Sequence, residues 1–248
     1  MNRTPTHPRW RGLYRTAATS AVLTAVCIPI QVVLYIAWPP PASHAVADWF
    51  GLFNRSPLMG LVSMDLVMMV EQVLLVPLVI ALWVALRGTS ESLMILAAPL
   101  WLAGSFLIVA SNTGFEMLSL SHGYAAAATD TSRAAYLAAG QGMLASYFDM
   151  GTSFVLGYVI SSVGGLLAGA AMLSANAWRA SGRVLLVGTA LGLCIFLPVI
   201  GIGLSLLSVL VMAAWYVLVA MRLVRLASDA TAPVQTPASP ARAMPAHP

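Results

Sequence analysis

From Leu58 to Leu86 the chain is long and apolar enough to cross a bilayer, yet that stretch carries Asp65, Glu71 and Gln72. About 20 apolar residues in a helix span the ~30 Å of hydrocarbon in a membrane. A carboxyl group at that depth needs a partner, a proton or a water-filled cavity. The Leu, Ile and Val residues of the stretch favour insertion by ~5–9 kcal/mol. Two ionised carboxylates oppose it by ~5–7 kcal/mol. The terms nearly cancel, so whatever folds around this segment must satisfy its acids.

Apolar runs recur along the rest of the chain. Apolar residues make up 60% of it and charged residues 8%, against about 25% charged in a soluble domain. The expected fold is all-α, a polytopic membrane helix bundle. Six spans are expected, at about 17–38, 58–86, 92–111, 150–173, 184–201 and 203–221, forming one domain over 1–226. The last two make an almost continuous apolar run, ~57 Å long if helical. That overshoots one crossing, and Pro198, Gly201 and Gly203 supply a turn. The first run, Ala17 to Trp38, is longer than a signal-peptide core and reads as a retained span. The tail over 227–248 is rich in Ala, Pro, Thr and Ser and is expected to be disordered.

Arginine placement orients the spans. With six crossings and a cytoplasmic N-terminus, ten arginines fall inside and only Arg55 and Arg133 outside, a strong positive-inside bias. Both termini are therefore expected in the cytoplasm. The net charge of +4 reflects this topology and not a nucleic-acid surface, because the arginines flank apolar runs.

The composition removes several functions. The chain has no lysine, so a retinal Schiff base is excluded. Its histidines, His7, His44, His122 and His247, lie in tails and loops, which excludes haem ligation within spans. Neither a phosphate loop nor an H-E-x-x-H helix is present, and there is no nucleophile elbow. Cys27 and Cys194 lie in separate apolar runs and read as small packing residues. His44 and Asp48 with His122 and Asp130 have the ligand types for zinc but no specific spacing. No metal and no cofactor is expected.

Helix geometry sorts the acidic segment. Asp65 and Gln72 lie within ~20° of one face of a continuous helix, and Glu71 points ~120° away from Asp65. Asp65, Glu71, Gln72 and Asn112 form the candidate polar site. Glu116 and Asp149 are a weaker candidate outer vestibule, Asp149 at the start of the fourth span where a helix N-terminus favours negative charge. The plainer reading has Glu116 solvated and Asp149 as a cap. Gly165-x-x-x-Gly169 and Gly188-x-x-x-Gly192 suit close helix packing between the fourth and fifth spans. In the first outer loop, Val46, Trp49, Phe50 and Phe53 recur at helical spacing, as in a helix lying apolar face down on the membrane. In the second, Asp130, Thr131 or Ser132 can cap a helix over Arg133 to Phe148.

Gly12-Leu-Tyr-Arg15, Met64-Asp65-Leu-Val-Met-Met69, Ala110-Ser-Asn112, Arg133-Ala-Ala-Tyr-Leu-Ala-Ala-Gly140, Gly157-Tyr158, Pro198-x-x-Gly201 and Trp215-Tyr216 follow one another in an informative order. In that order the chain, over about 12–226, resembles a bacterial family of six-span membrane proteins catalogued as a domain of unknown function. The resemblance implies the topology and a bacterial plasma-membrane location, and no activity. The family's pattern has a second acid seven residues after the first, where this chain has Gln72 with Glu71 beside it. Two functions are expected to compete. One is a small transporter, channel-like or ligand-sensing protein with an ion or small molecule at the polar site. The other is a structural or accessory subunit whose acids hold the bundle together. An intramembrane lipid-modifying enzyme is third, for want of a nucleophile–base pair. The bilayer is the expected partner, and nucleic acid is not.

Overall fold

A computed structural model describes residues 8–229. Arg3, His7, Arg242, His247 and the tail beyond Asp229 lie outside the described residues. All regular structure among the described residues is helical: α1 (Arg11–Ala37), α2 (Val46–Arg55), α3 (Pro57–Ser63), α4 (Leu66–Ala110), α5 (Gly114–Ala126), α6 (Asp130–Phe148), α7 (Thr152–Ser174), α8 (Arg179–Leu193) and α9 (Gly201–Asp229). Five helical stretches are long and apolar enough to cross a membrane. Their outer faces carry exposed Leu23, Val33, Ile36, Ile95, Phe106 and Leu210, an apolar surface suited to lipid and not to water.

The longest helix is not straight. A continuous α4 of 45 residues would separate its ends by ~67 Å. Instead, Asn112 just beyond one end donates a 2.6 Å hydrogen bond to the Met64 carbonyl just before the other. The fold-back is at Ser90, whose backbone is non-helical (φ −149°, ψ 59°) and whose hydroxyl lies 2.8 Å from that of Ser174 at the end of α7. The polar stretch from Arg87 to Glu91 thus turns the chain through a single irregular residue. Pro77 and Pro99 lie within the two arms without ending either.

These contacts define two ends of the molecule. At the Ser90 end the Arg87 guanidinium lies over the Trp10 ring at 5.6 Å, and Arg222 donates to the Ala177 carbonyl at 2.6 Å. The start of α1 and the last part of α9 therefore lie together, and the two helices run antiparallel. At the other end α2, α3, α5 and α6 form a small cap with its own core of Trp49, Phe50, Phe53, Met64, Met117 and Leu144. Helix α2 was expected to lay its apolar face on lipid. That face, Val46, Trp49, Phe50 and Phe53, is buried against protein instead. Gly140 of α6 permits this, since a Cβ there would lie 2.7 Å from both Phe50 and Val46.

Several expected boundaries move. The span expected over 58–86 is interrupted at Met64–Asp65, and Asp65 is left-handed (φ 63°). Its first residues belong to α3, whose start is fixed by Pro57 and by the Ser56 hydroxyl accepting from Met59 N–H. The cap of α6 is Thr129, one residue before the expected set, with its hydroxyl accepting from Ser132 N–H. Residues 227–229, expected in the disordered tail, continue α9. Helix α8 ends at Leu193, a short 3-10 turn spans Cys194–Phe196, and Pro198 lies in the break before α9.

The tightest bundle contact is α7 on the second arm of α4. A Cβ on Gly104 would lie 2.5 Å from the Gly157 carbonyl, and one on Gly164 2.7 Å from the Trp101 Cα. Only glycine lets these backbones meet so closely. Of the four glycines singled out from the sequence, Gly165 faces Thr189 and Gly169 faces Leu186, both across α7–α8. Gly188 instead meets Met212 of α9, and Gly192 lies beside the Tyr158 hydroxyl. Gly164→Leu is expected to wedge α7 from α4 and to destabilise by at least ~1–3 kcal/mol, read as a lowered Tm in detergent. Gly142→Ala, where a Cβ meets nothing within 4 Å, is expected to leave Tm unchanged or raise it.

Candidate functional site

The turn at Asp65 joins four separate segments. Helix α3 ends at Ser63, Met64 is fully buried in the cap core, and Asp65 takes up the left-handed region before α4 begins. Aspartate tolerates that conformation better than most residues, because its short polar side chain bonds locally. Here both carboxylate oxygens find distant partners. The Tyr35 hydroxyl, near the end of α1, donates to Oδ1 at 2.6 Å. The Tyr147 hydroxyl, near the end of α6, donates to Oδ2 at 2.8 Å. The 2.6 Å contact falls in the range of a charge-assisted hydroxyl–carboxylate bond. Gln31 reaches the Tyr35 hydroxyl from one turn earlier at 3.4 Å.

Asn112 closes the same turn from another side. Its Nδ2 donates to the Met64 carbonyl at 2.6 Å, and its Oδ1 accepts from Gly114 N–H at 2.9 Å. One asparagine thus ties the start of α4 to the start of α5. Asp65 and Asn112 are brought into one network through the backbone between them. Gln72 takes no part in it, because Asp65 lies in the turn and the helical register expected between the two does not apply.

Glu71 is a separate feature. It sits in the second turn of α4, half-buried, and its Oε1 is buried without a hydrogen-bond partner. The two outer-vestibule candidates both reach the surface. Glu116 is exposed in the first turn of α5. Asp149 is exposed and follows α6 as its C-cap, while α7 starts after Gly151. Its expected place at a helix N-terminus is therefore corrected to a helix C-terminus.

No group of three His, Cys, Asp or Glu side chains able to hold a metal occurs among the described residues. The His44 ring stacks on Phe148 at 4.1 Å. A groove of about 470 Å³ opens between the end of α1 and the cap, bounded by Trp38, Pro39, Leu52, Ser56 and Ser63. Asp65, Glu71, Gln72 and Asn112 do not line it. The arrangement at Asp65 holds α1, α4 and α6 together.

Tyr35, in the first apolar run, and Tyr147, in the second outer loop, are uncharged and stand outside the candidate polar site read from the sequence. The available signal was that a tyrosine near the end of such a run brings a hydroxyl that usually finds a partner when buried. No family model, no curated protein and no solved structure matches this chain.

Asp65→Gly keeps the left-handed turn but removes both hydroxyl bonds. It is expected to cost about 2–4 kcal/mol, near the low end for two bonds to a charged group because Asp65 is only half-buried. Asp65→Asn retains an acceptor and a donor for the two hydroxyls and is expected to cost less than half as much. Thermal melts of the two variants in detergent give the comparison, and equal losses would show that the carboxylate charge matters and not the number of acceptors.

Proposed function

We propose that this chain is a six-crossing protein of the bacterial plasma membrane with both termini in the cytoplasm, acting as a non-catalytic structural or accessory membrane protein. One observation carries the functional part: both oxygens of Asp65 are taken by tyrosine hydroxyls from two other segments. An acid so engaged fastens the cap to the bundle. The topology draws on the fold-back at Ser90, which divides α4 into arms of ~36 Å and ~30 Å, each sufficient for one crossing. It also draws on charge. Arg9, Arg11, Arg15, Arg87, Arg179, Arg183, Arg222 and Arg225 belong to the Ser90 end, and Arg55 and Arg133 to the cap. That distribution supports a cytoplasmic Ser90 end and an outer cap. The resemblance to the bacterial six-span family points the same way.

A second reading, a small transporter or proton-linked sensor, is favoured by Glu71. A buried carboxyl oxygen without a partner adds nothing to packing and costs desolvation. Such a group is the natural candidate for a proton or ion that enters and leaves.

Two measurements separate these readings and test the topology. In a variant lacking Cys27 and Cys194, a membrane-impermeant maleimide should label Ala128→Cys in intact cells and Ala180→Cys only after lysis. The reverse pattern would invert the topology. The structural reading expects proteoliposomes to show no pH-driven proton uptake, and Glu71→Leu to melt at the same temperature as the parent or higher. Proton uptake that Glu71→Gln abolishes would replace it with the transport reading.

A further inference from the structure

Helices α1 and α9 leave a groove of about 550 Å³ between them, lined by Val22, Ala25 and Val26 on one side and Val217, Met221 and Arg225 among those on the other. Its walls are apolar except at one mouth, where Arg225 stands. Val217 to Arg225 covers about 12 Å along α9, so the groove runs a good part of the way through one leaflet.

The basic mouth has a second member. Arg15 lies seven residues before Val22 and eleven before Val26, within ~20° of the face of α1 that lines the groove. Because α1 and α9 run antiparallel, Arg15 lies toward the same end of the molecule as Arg225. Both side chains are exposed. The ion pair found among the described residues joins Arg133 to Asp130 in the cap, so neither arginine is held by an acid there. Asp229, one turn beyond Arg225 on α9, is not within ion-pair distance of it.

We infer that this groove seats an acyl chain of an anionic phospholipid whose phosphate is bound by Arg225 and Arg15. The chemistry of the two parts selects that occupant. An apolar slot facing hydrocarbon takes an alkyl chain. Two unpaired guanidiniums at headgroup level take a phosphate, to which Arg bonds through a planar fork of donors. A second copy of this chain would have to bring an acid to the same mouth, and the only described acids at this end are Glu91 and Asp229. The inference rests on the proposed topology only for the leaflet that supplies the lipid. A wrong topology would fail the labelling experiment, whereas lipid retention in detergent fails only if the groove is wrong.

The test is native mass spectrometry of the full chain, delipidated in detergent and titrated with phosphatidylglycerol or phosphatidylcholine. Phosphatidylglycerol should bind in preference, with one lipid retained most tightly. Its affinity should fall about fivefold for Arg225→Gln and again for Arg15→Gln, as expected when a basic residue near an anionic headgroup is lost. Val26→Trp, which fills the groove from an exposed position, should abolish tight retention without touching either arginine. Equal binding of the two lipids would overturn the inference, as would undiminished phosphatidylglycerol binding by the double arginine variant. Displacement of the lipid by inorganic phosphate alone would overturn it in favour of a simple anion site. Disulfide-linked dimers of Val26→Cys forming in the membrane, in a chain lacking Cys27 and Cys194, would overturn it in favour of a second copy.

Discussion

The bonds from Tyr35 and Tyr147 to Asp65 hold the only described turn at which α1, α4 and the cap share one polar group. Without a break at Met64–Asp65, α3 and α4 would run on as one helix and carry the cap residues of α3 along the axis of the bundle. The left-handed Asp65 redirects the chain instead, so that Met64 turns into the aromatic cap core. A single αL residue does not hold such a turn unaided. The two hydroxyl bonds, with Asn112 on the adjacent carbonyl, lock its geometry from three directions. The cap is thus a consequence of one acid placed where several segments can reach it.

The bundle beneath relies on a different principle. Helices in lipid gain little from burying apolar surface against one another, since the tails are as apolar as leucine. Close approach must supply the attraction. Gly104, Gly157 and Gly164 bring α4 and α7 into backbone contact, and Trp101 and Trp215 fill the adjacent space with ring centroids 5.7 Å apart. The cap core, by contrast, is aromatic and densely filled. The bonds to Asp65 and from Asn112 lie where these two regimes meet.

The apolar runs and the polar stretch at Arg87–Glu91 were legible because helix length and hydropathy are local properties. The break at Met64–Asp65 was not. Neither residue is a strong breaker, and what stabilises the turn lies 30 residues earlier at Tyr35 and 82 later at Tyr147. The same limit applies to α2. Its aromatic face is evident in Val46, Trp49, Phe50 and Phe53, but periodicity identifies an apolar face without saying whether lipid or protein will cover it. The prolines mislead in the other direction, since Pro77 and Pro99 continue their helices. Helix geometry already set Asp65 and Glu71 on different faces, and the turn at Asp65 separates them further.

That separation makes Glu71 the more telling residue. Asp65 is explained by its partners: remove them and it has no reason to sit where it does. Glu71 has no such explanation. Its Oε1 is buried without a donor, in a bundle where leucine at the same position would pack at no electrostatic cost. Stability alone gives no reason for a carboxyl there, because an unpartnered buried acid is a net expense to the fold.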